Sequence, residues 1–182
     1  MIRNILNIIV ISLFAVVLFS CGNNADKQQN HLDKQRVTQK EFNAMLEDAN
    51  RYWLAQESEL IEDYILRHEL DMIKTGTGLR YQIHDSGDGV LIKEGDIVTL
   101  EYELRLLNGN LIYSSENDGD KVFLVGRGGV ESGLEEAILK LSKNSVATLI
   151  LPAHLSHGLI GDGNKIPQRA TLVYKLKVID KH

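Results

Sequence analysis

The sequence predicts an α+β fold in which an antiparallel sheet wraps around one short helix, with a helical segment before it. Two observations predict the sheet. Apolar and polar residues alternate from Val98 to Leu106, and the pair Asn108-Gly109 that follows is typical of a two-residue hairpin. The helix is predicted by apolar residues at helical spacing between Val130 and Leu141. Counting the remaining alternating stretches gives five or six strands.

Composition sets the size and the charge of this domain. The chain has 182 residues, of which 43% are hydrophobic and 25% are charged, enough for one well-buried domain and a smaller element. The net charge of −5 comes without a basic cluster. Because nucleic-acid binders usually present a basic face, we expect no nucleic-acid partner.

Residues 1–20 have the three-part pattern of a secretory signal. Arg3 supplies a positive charge, Ile5 to Phe19 is almost wholly apolar, and small residues follow at Ser20-Cys21-Gly22. Cys21 is the only cysteine, so an internal disulfide is excluded. The alternative to a lipoprotein signal is an ordinary signal peptide in which this cysteine is incidental.

Leu18-Phe-Ser-Cys21 resembles a bacterial lipobox, which implies lipidation at Cys21 and attachment of the protein to a membrane through that lipid anchor. Gly22, rather than aspartate, follows the cysteine and implies sorting to the outer membrane. We therefore expect a lipid-anchored protein of the cell envelope, on the outer membrane and facing the periplasm.

A tether and a helical segment are predicted before the domain. Residues 21–37 are polar and predict a flexible tether. The segment 38–75 begins with Thr38-Gln-Lys-Glu41, which has the form of a capping box, and continues with apolar residues at a helical period. The polar patch Gln56–Glu59 leaves open whether this is one helix or two. Its apolar stripe can pack on the following domain, on a second copy in a homodimer, or on another protein.

The domain itself is predicted over 76–182, after a glycine-containing boundary at Thr75–Gly78. Its strands are predicted from alternating or short apolar runs. Besides the long strand, these runs are Leu79–Ile83, Leu111–Ser115, Val122–Val125, Ser145–Leu151 and Ala170–Tyr174.

Three separated motifs carry a resemblance to a known family. They are V-G-R-G-G-V-E-S-G-L-E-E-A-I from Val125, L-I-L-P-A-H-L-S-H-G from Leu149, and I-P-Q-R-A-T-L-V-Y from Ile166. In this order and spacing they resemble FKBP-type peptidyl-prolyl isomerases over about residues 77 to 180. The resemblance implies a half-barrel with a ligand cleft between helix and sheet, proline-containing polypeptides as partners, and no cofactor or metal.

The reaction implied by this family is rotation about an X–Pro peptide bond. Amide resonance makes that rotation slow, and a dry pocket that prefers the twisted bond lowers the barrier. The resemblance implies catalytic positions at Tyr102, Tyr113, His157 and Tyr174. It implies substrate-binding positions at Ile112, Phe123, Val130, Glu131, Leu134 and Ile166.

Two of these positions depart from the family pattern. Tyr113 stands where the family commonly has an aspartate linked to catalysis, and His157 where it has a tyrosine that binds the substrate carbonyl. Both departures imply weaker isomerase activity. His154 and His157, three positions apart and followed by Asp162, also suggest a metal site, but they lie in a predicted loop with no third convincing ligand and no cysteine nearby. We therefore expect no metal.

The sequence as a whole favours an isomerase that assists folding of secreted or outer-membrane proteins. The combination of lipobox, helical arm and this domain resembles the gliding-motility-associated FKBP-type lipoproteins of Bacteroidota, which implies a link to motility or protein export. The alternative is a non-catalytic binding or chaperone module in a cell-envelope assembly.

Overall fold

The computed structural model describes residues 24–182. The predicted signal peptide at 1–20 and the predicted lipidation site Cys21 lie outside the described residues. The chain divides into two compact units between Trp53 and Leu54, and the second unit, Leu54–His182, contains the whole sheet.

Helix α1 runs without interruption from Asn24 to Arg67. It differs from the predicted helix at both ends, since residues 24–37 of the predicted tether are helical and the helix stops eight residues before Thr75. Neither glycine nor proline occurs in this stretch, and glutamine, lysine and alanine favour a helix, so Thr38 is interior rather than a cap. No helix in the described part of the chain is long and apolar enough to cross a membrane.

A left-handed residue ends helix α1. Glu69 has a φ of 52°, and its N–H donates to Leu66 O at 3.2 Å, while Leu70 N donates to Ile65 O at 3.0 Å. This pair of bonds is the Schellman ending of a helix. Leu70 and Ile65, which the second bond joins, both pack against the same apolar cluster.

The sheet contains seven strands in the described residues, and every strand pair is antiparallel. The strands are β1 Ile73–Lys74, β2 Arg80–Asp85, β3 Ile97–Leu106, β4 Leu111–Ser114, β5 Lys121–Leu124, β6 Val146–Leu151 and β7 Leu172–Lys181. Their order is β1-β2-β6-β7-β3-β4, and β5 pairs with the first half of β3. The short helix α2 spans Ser115–Asp118, α3 spans Ser132–Ile138, and a 3-10 turn, η1, spans Ala153–Leu155.

The main core lies between the sheet and helix α3. Leu134 and Ile138 of α3 are fully buried against inward side chains such as Val98, Leu100 and Leu104 of β3. The alternation predicted for β3 is therefore present. This arrangement confirms the predicted α+β class, with one short helix packed on an antiparallel sheet and a helix before it.

Gly133 allows helix α3 to approach the sheet closely. A Cβ placed on Gly133 would lie 2.7 Å from Leu151 Cγ and 3.0 Å from Leu155 Cβ, which is closer than side chains tolerate. Helix α3 therefore lies directly against Leu151 of β6 and Leu155 of η1.

A second, smaller core joins the last turns of α1 to the other face of the sheet. Ile61 and Tyr64 are buried against Ile150 and Val173. Beside them the buried Arg80 side chain donates to Glu62 Oε1 at 2.7 Å. Residues from Leu54 onward thus belong to the domain, which differs from the boundary predicted at residue 76 because the burial of Ile61 and Tyr64 requires the sheet.

Candidate functional site: a cleft with an ion pair on its floor

A cleft of about 480 Å³ opens between β3, the segment before helix α3 and the loop after η1. This volume lies within the range of small-ligand pockets. Aromatic and aliphatic side chains form part of the wall, and charged side chains form the rest. The lining residues are Tyr102, Leu104, Tyr113, Lys121, Gly129, Val130, Glu131, Ser156, His157, Asp162 and Ile166.

An ion pair and a tyrosine hydroxyl form the floor of this cleft. Lys121 Nζ lies 3.5 Å from Glu131 Oε2 and donates to Tyr174 Oη at 3.0 Å. The Tyr174 hydroxyl in turn donates to Glu131 Oε1 at 2.7 Å. His157 Nε2 lies 3.3 Å from the same Oε1. The floor is therefore more polar than the apolar pocket expected from the sequence.

The charge on Glu131 is stabilised by its partners. Burial alone raises the pKa of this carboxyl, but the Lys121 ammonium, the backbone N–H of Glu131 and the Tyr174 hydroxyl outweigh it and hold the pKa below its usual value. Burial, followed by the Glu131 charge and its hydrogen bond, raises the pKa of Tyr174 well above its usual value. At neutral pH the floor thus contains a carboxylate and a phenol that stays protonated.

The rim of the cleft is closed by a contact between β4 and the loop after η1. The Tyr113 hydroxyl donates to Asp162 Oδ2 at 2.5 Å, and the backbone N–H groups of Asn164 and Ile166 each donate to Asp162 Oδ1 at 2.8 Å. Burial opposes ionisation of Asp162, but these three hydrogen bonds outweigh it and lower its pKa to about 2. The carboxylate therefore stays ionised and holds the loop against Tyr113.

Gly161 makes the turn before Asp162 possible. Its φ is 71°, and a Cβ there would lie 2.2 Å from Ile166 O. Ser156, at the other end of the loop, donates to Ala170 O at 3.1 Å. The loop is thus attached at both ends, which sets the positions of His157 and Asp162 in the cleft.

The structure separates the predicted site residues into two groups. Those that line the cleft are Tyr102, Tyr113, Val130, Glu131, His157 and Ile166. The Tyr174 ring is buried in the main core, and its hydroxyl reaches Glu131 at the floor. Phe123 and Leu134 are buried in the main core, and Ile112 packs against that core half-buried.

Sequence reasoning missed five lining residues, Leu104, Lys121, Gly129, Ser156 and Asp162, and two of these, Lys121 and Asp162, carry charges. The signal for Lys121 was present, because residues two apart on a strand share a face and Phe123 was already placed inward. The strand was predicted to begin at Val122, one residue too late. No local signal pairs Asp162 with Tyr113, since they are 49 positions apart.

The two histidines that suggested a metal site turn to different partners. His154 Nε2 is 2.8 Å from Thr77 O, whereas His157 faces Glu131. Within residues 24–182, no three His, Cys, Asp or Glu side chains lie together as metal ligands would.

Comparison with known proteins agrees with this architecture. The family described as FKBP-type peptidyl-prolyl cis-trans isomerase matches residues 89–179, half of the chain. A relative in Neisseria meningitidis, the probable FKBP-type peptidyl-prolyl cis-trans isomerase FkpA, is 37% identical over 106 residues, covering 58% of this chain and 38% of that protein. Outer membrane protein MIP of Legionella longbeachae is 33% identical over 104 residues, covering 57% of this chain and 44% of that protein.

A solved structure gives the same fold. The crystal structure of FkpA from Escherichia coli matches with a TM-score of 0.63 at 24% identity, covering 96% of this chain and 80% of that chain. The match spans less than half the length of each of these two curated relatives. Because this family model matches half of its length, the chain belongs to the FKBP-type peptidyl-prolyl cis-trans isomerase family.

Proposed function

We propose that this protein catalyses cis–trans isomerisation of X–Pro bonds in polypeptides that enter the cleft between β3 and helix α3. The observation that carries the proposal is the position of this cleft in a domain of the isomerase family. Tyr102, Leu104, Val130 and Ile166 offer an apolar wall for a proline ring, and the reaction needs no cofactor.

The loop after η1 supports a polypeptide substrate. Leu159 and Ile160, which follow the lining residue His157, are 65% and 79% exposed. They are available to contact apolar residues on either side of a proline. Substrates that are still unfolded expose such residues, in agreement with a role in folding of secreted or outer-membrane proteins.

The test is the isomerisation rate of an X–Pro peptide with the purified full chain in a mild detergent. Tyr102→Ala removes an aromatic wall of the cleft and should lower kcat/KM about tenfold or more, whereas Tyr52→Ala, the same change at an exposed position of α1, should leave it unchanged. A folded wild type that binds the peptide without accelerating isomerisation would instead favour the non-catalytic binding or chaperone module.

We also propose that the protein is a lipoprotein of the cell envelope, anchored through Cys21 on the outer membrane and facing the periplasm. The lipobox-like Leu18–Cys21 supports this, and a relative carries the name outer membrane protein MIP. Labelling with a radioactive fatty acid should mark the wild type and not Cys21→Ser. Equal labelling of the wild type and Cys21→Ser would contradict lipidation at Cys21.

We propose a role in gliding motility or protein export on the resemblance to the gliding-motility-associated lipoproteins. We also propose a homodimer through residues 38–75, because α1 exposes apolar side chains such as Phe42 and Met45. Deletion of the gene with measurement of colony spreading tests the first role. Sedimentation of the wild type and of Phe42→Glu/Met45→Glu tests the second, since a dimer held by these residues would dissociate.

A further inference from the structure

Lys121 places an ammonium group inside the cleft. Its side chain is 23% exposed, and Nζ lies 5.2 Å from the centre of the Tyr102 ring and 5.5 Å from that of Tyr174. An ammonium has three N–H donors. Within the described residues, one donates to Tyr174 Oη and a second faces Glu131 Oε2. A donor therefore remains for a group bound in the cleft.

Glu131 and Tyr174 hold this ammonium in position. The Glu131 side chain is 5% exposed, and its Oε2 accepts no hydrogen bond within the described part of the chain, although Lys121 Nζ is 3.5 Å away. A buried ion pair is poor evidence for added stability, because removing two charges from water costs about as much as their attraction returns. A pair on the floor of a binding cleft is better explained by what it does to a ligand.

The chemistry of the X–Pro bond gives such a donor a specific use. In the planar amide the nitrogen lone pair is delocalised into the carbonyl, so this nitrogen is a poor hydrogen-bond acceptor. When the bond twists toward ninety degrees the lone pair becomes localised on nitrogen, which then accepts a hydrogen bond. A donor aimed at that nitrogen stabilises the transition state and not the ground state, so it raises kcat without lowering KM.

We propose that Lys121 is a catalytic residue whose ammonium donates a hydrogen bond to the prolyl nitrogen as the X–Pro bond twists, and that Glu131 and Tyr174 are positioning residues for it. This inference rests on the isomerase function proposed above. It adds a charged donor to the apolar wall formed by Tyr102, Leu104 and Val130. Charge-assisted hydrogen bonds of this kind are worth about a tenfold to a hundredfold in rate.

Variants of the full chain test the inference. Lys121→Met keeps the aliphatic length and removes the donor, so kcat should fall about tenfold or more while KM and the Kd of a fluorescent proline peptide change less than about twofold. Lys121→Arg keeps a charged donor and should recover part of kcat. Lys140→Met is the matched control, since Lys140 Nζ also lies over a tyrosine ring, 5.6 Å from the centre of Tyr81, but outside the cleft.

A double variant separates catalysis from the cost of an unpaired charge. Lys121→Met leaves Glu131 buried without its cation, whereas Lys121→Met/Glu131→Gln removes both charges. If a dry pocket alone were responsible for catalysis, the double variant would match or exceed the wild type in kcat, and that result would overturn the role of Lys121 while leaving the isomerase function intact. A wild type with no isomerase activity would overturn both.

A substrate measurement keeps the inference testable if the variants fail to fold. Fluorines on the proline ring withdraw electrons and make its nitrogen a weaker acceptor. The ratio of enzymatic to uncatalysed rate should therefore fall at least severalfold for a difluoroproline peptide relative to its proline counterpart. An unchanged ratio would mean that no donor reaches this nitrogen.

Discussion

Glu57 on helix α1 connects the helix to the loop that lines the cleft. Its Oε1 accepts a hydrogen bond from the Thr171 hydroxyl at 2.6 Å and from the backbone N–H of Ala153 at 2.7 Å. Ala153 begins η1, so this N–H has no partner within its own turn. We expect Glu57→Ala to destabilise the domain and to loosen the segment that leads to Ser156 and His157.

The magnitude follows from these two bonds. Hydrogen bonds to a charged group contribute about 1.5 to 3 kcal/mol each, but one oxygen accepts both and the side chain is partly exposed, so we expect a total loss of about 2–3 kcal/mol. For a domain of this size each kcal/mol corresponds to about 2–4 °C in Tm, which gives a decrease of about 4 to 12 °C.

Urea unfolding and thermal unfolding of the wild type and Glu57→Ala measure this loss, and hydrogen exchange measures the opening of 153–157. Glu59→Ala is the matched control, because Glu59 is exposed on the same helix two positions away. The reasoning would be refuted if Glu57→Ala lowered the free energy of unfolding by less than about 0.5 kcal/mol and left hydrogen exchange at Ala153 unchanged.

The remaining predictions concern packing and pH. Ile61→Ala, at a fully buried position, should lower the free energy of unfolding by about 2–5 kcal/mol in urea titration, and a loss below about 1 would mean that the smaller core does not form. Gly133→Ala should cost about 1–3 kcal/mol by the same method because its Cβ would collide with Leu151, and an unchanged stability would contradict that close approach. Because the folded pKa of Asp162 is about 2 against an ordinary 3.8, its contribution is complete above pH 4 and is lost as pH falls toward 2. The wild type should therefore lose more stability than Asp162→Asn across that interval, and parallel curves would contradict the Tyr113 contact.

The sheet was predictable from sequence because its signals are local. Val98, Leu100 and Leu104 alternate with polar neighbours, and Asn108-Gly109 marks the hairpin between β3 and β4. Helix α1 was predicted less well at both ends. Its start was assigned to a capping-box pattern at Thr38 that the helix runs through, and its end depends on the left-handed Glu69, which no sequence rule favours.

The cleft was predictable only in part. The family resemblance brought Tyr102, Val130 and Glu131 to one place, and all three line the cleft. The ion pair on the floor was not predicted, because the strand was predicted from its apolar residues alone and so began at Val122, which left Lys121 outside it. Phe123, two positions away, was selected instead and is buried in the core.

The sequence by itself determined the class of fold, the alternating faces of the strands and the family, because periodicity, turn residues and the spacing of motifs can be read without knowing which distant residues meet. Tertiary structure alone decided which charges meet. Lys121 and Glu131 come together because the start of β5 and the end of the segment before α3 lie at the same cleft, and Tyr113 reaches Asp162 because the turn at Gly161 directs the loop toward β4. The energy of such contacts depends on burial and distance, and neither quantity exists until the chain is folded.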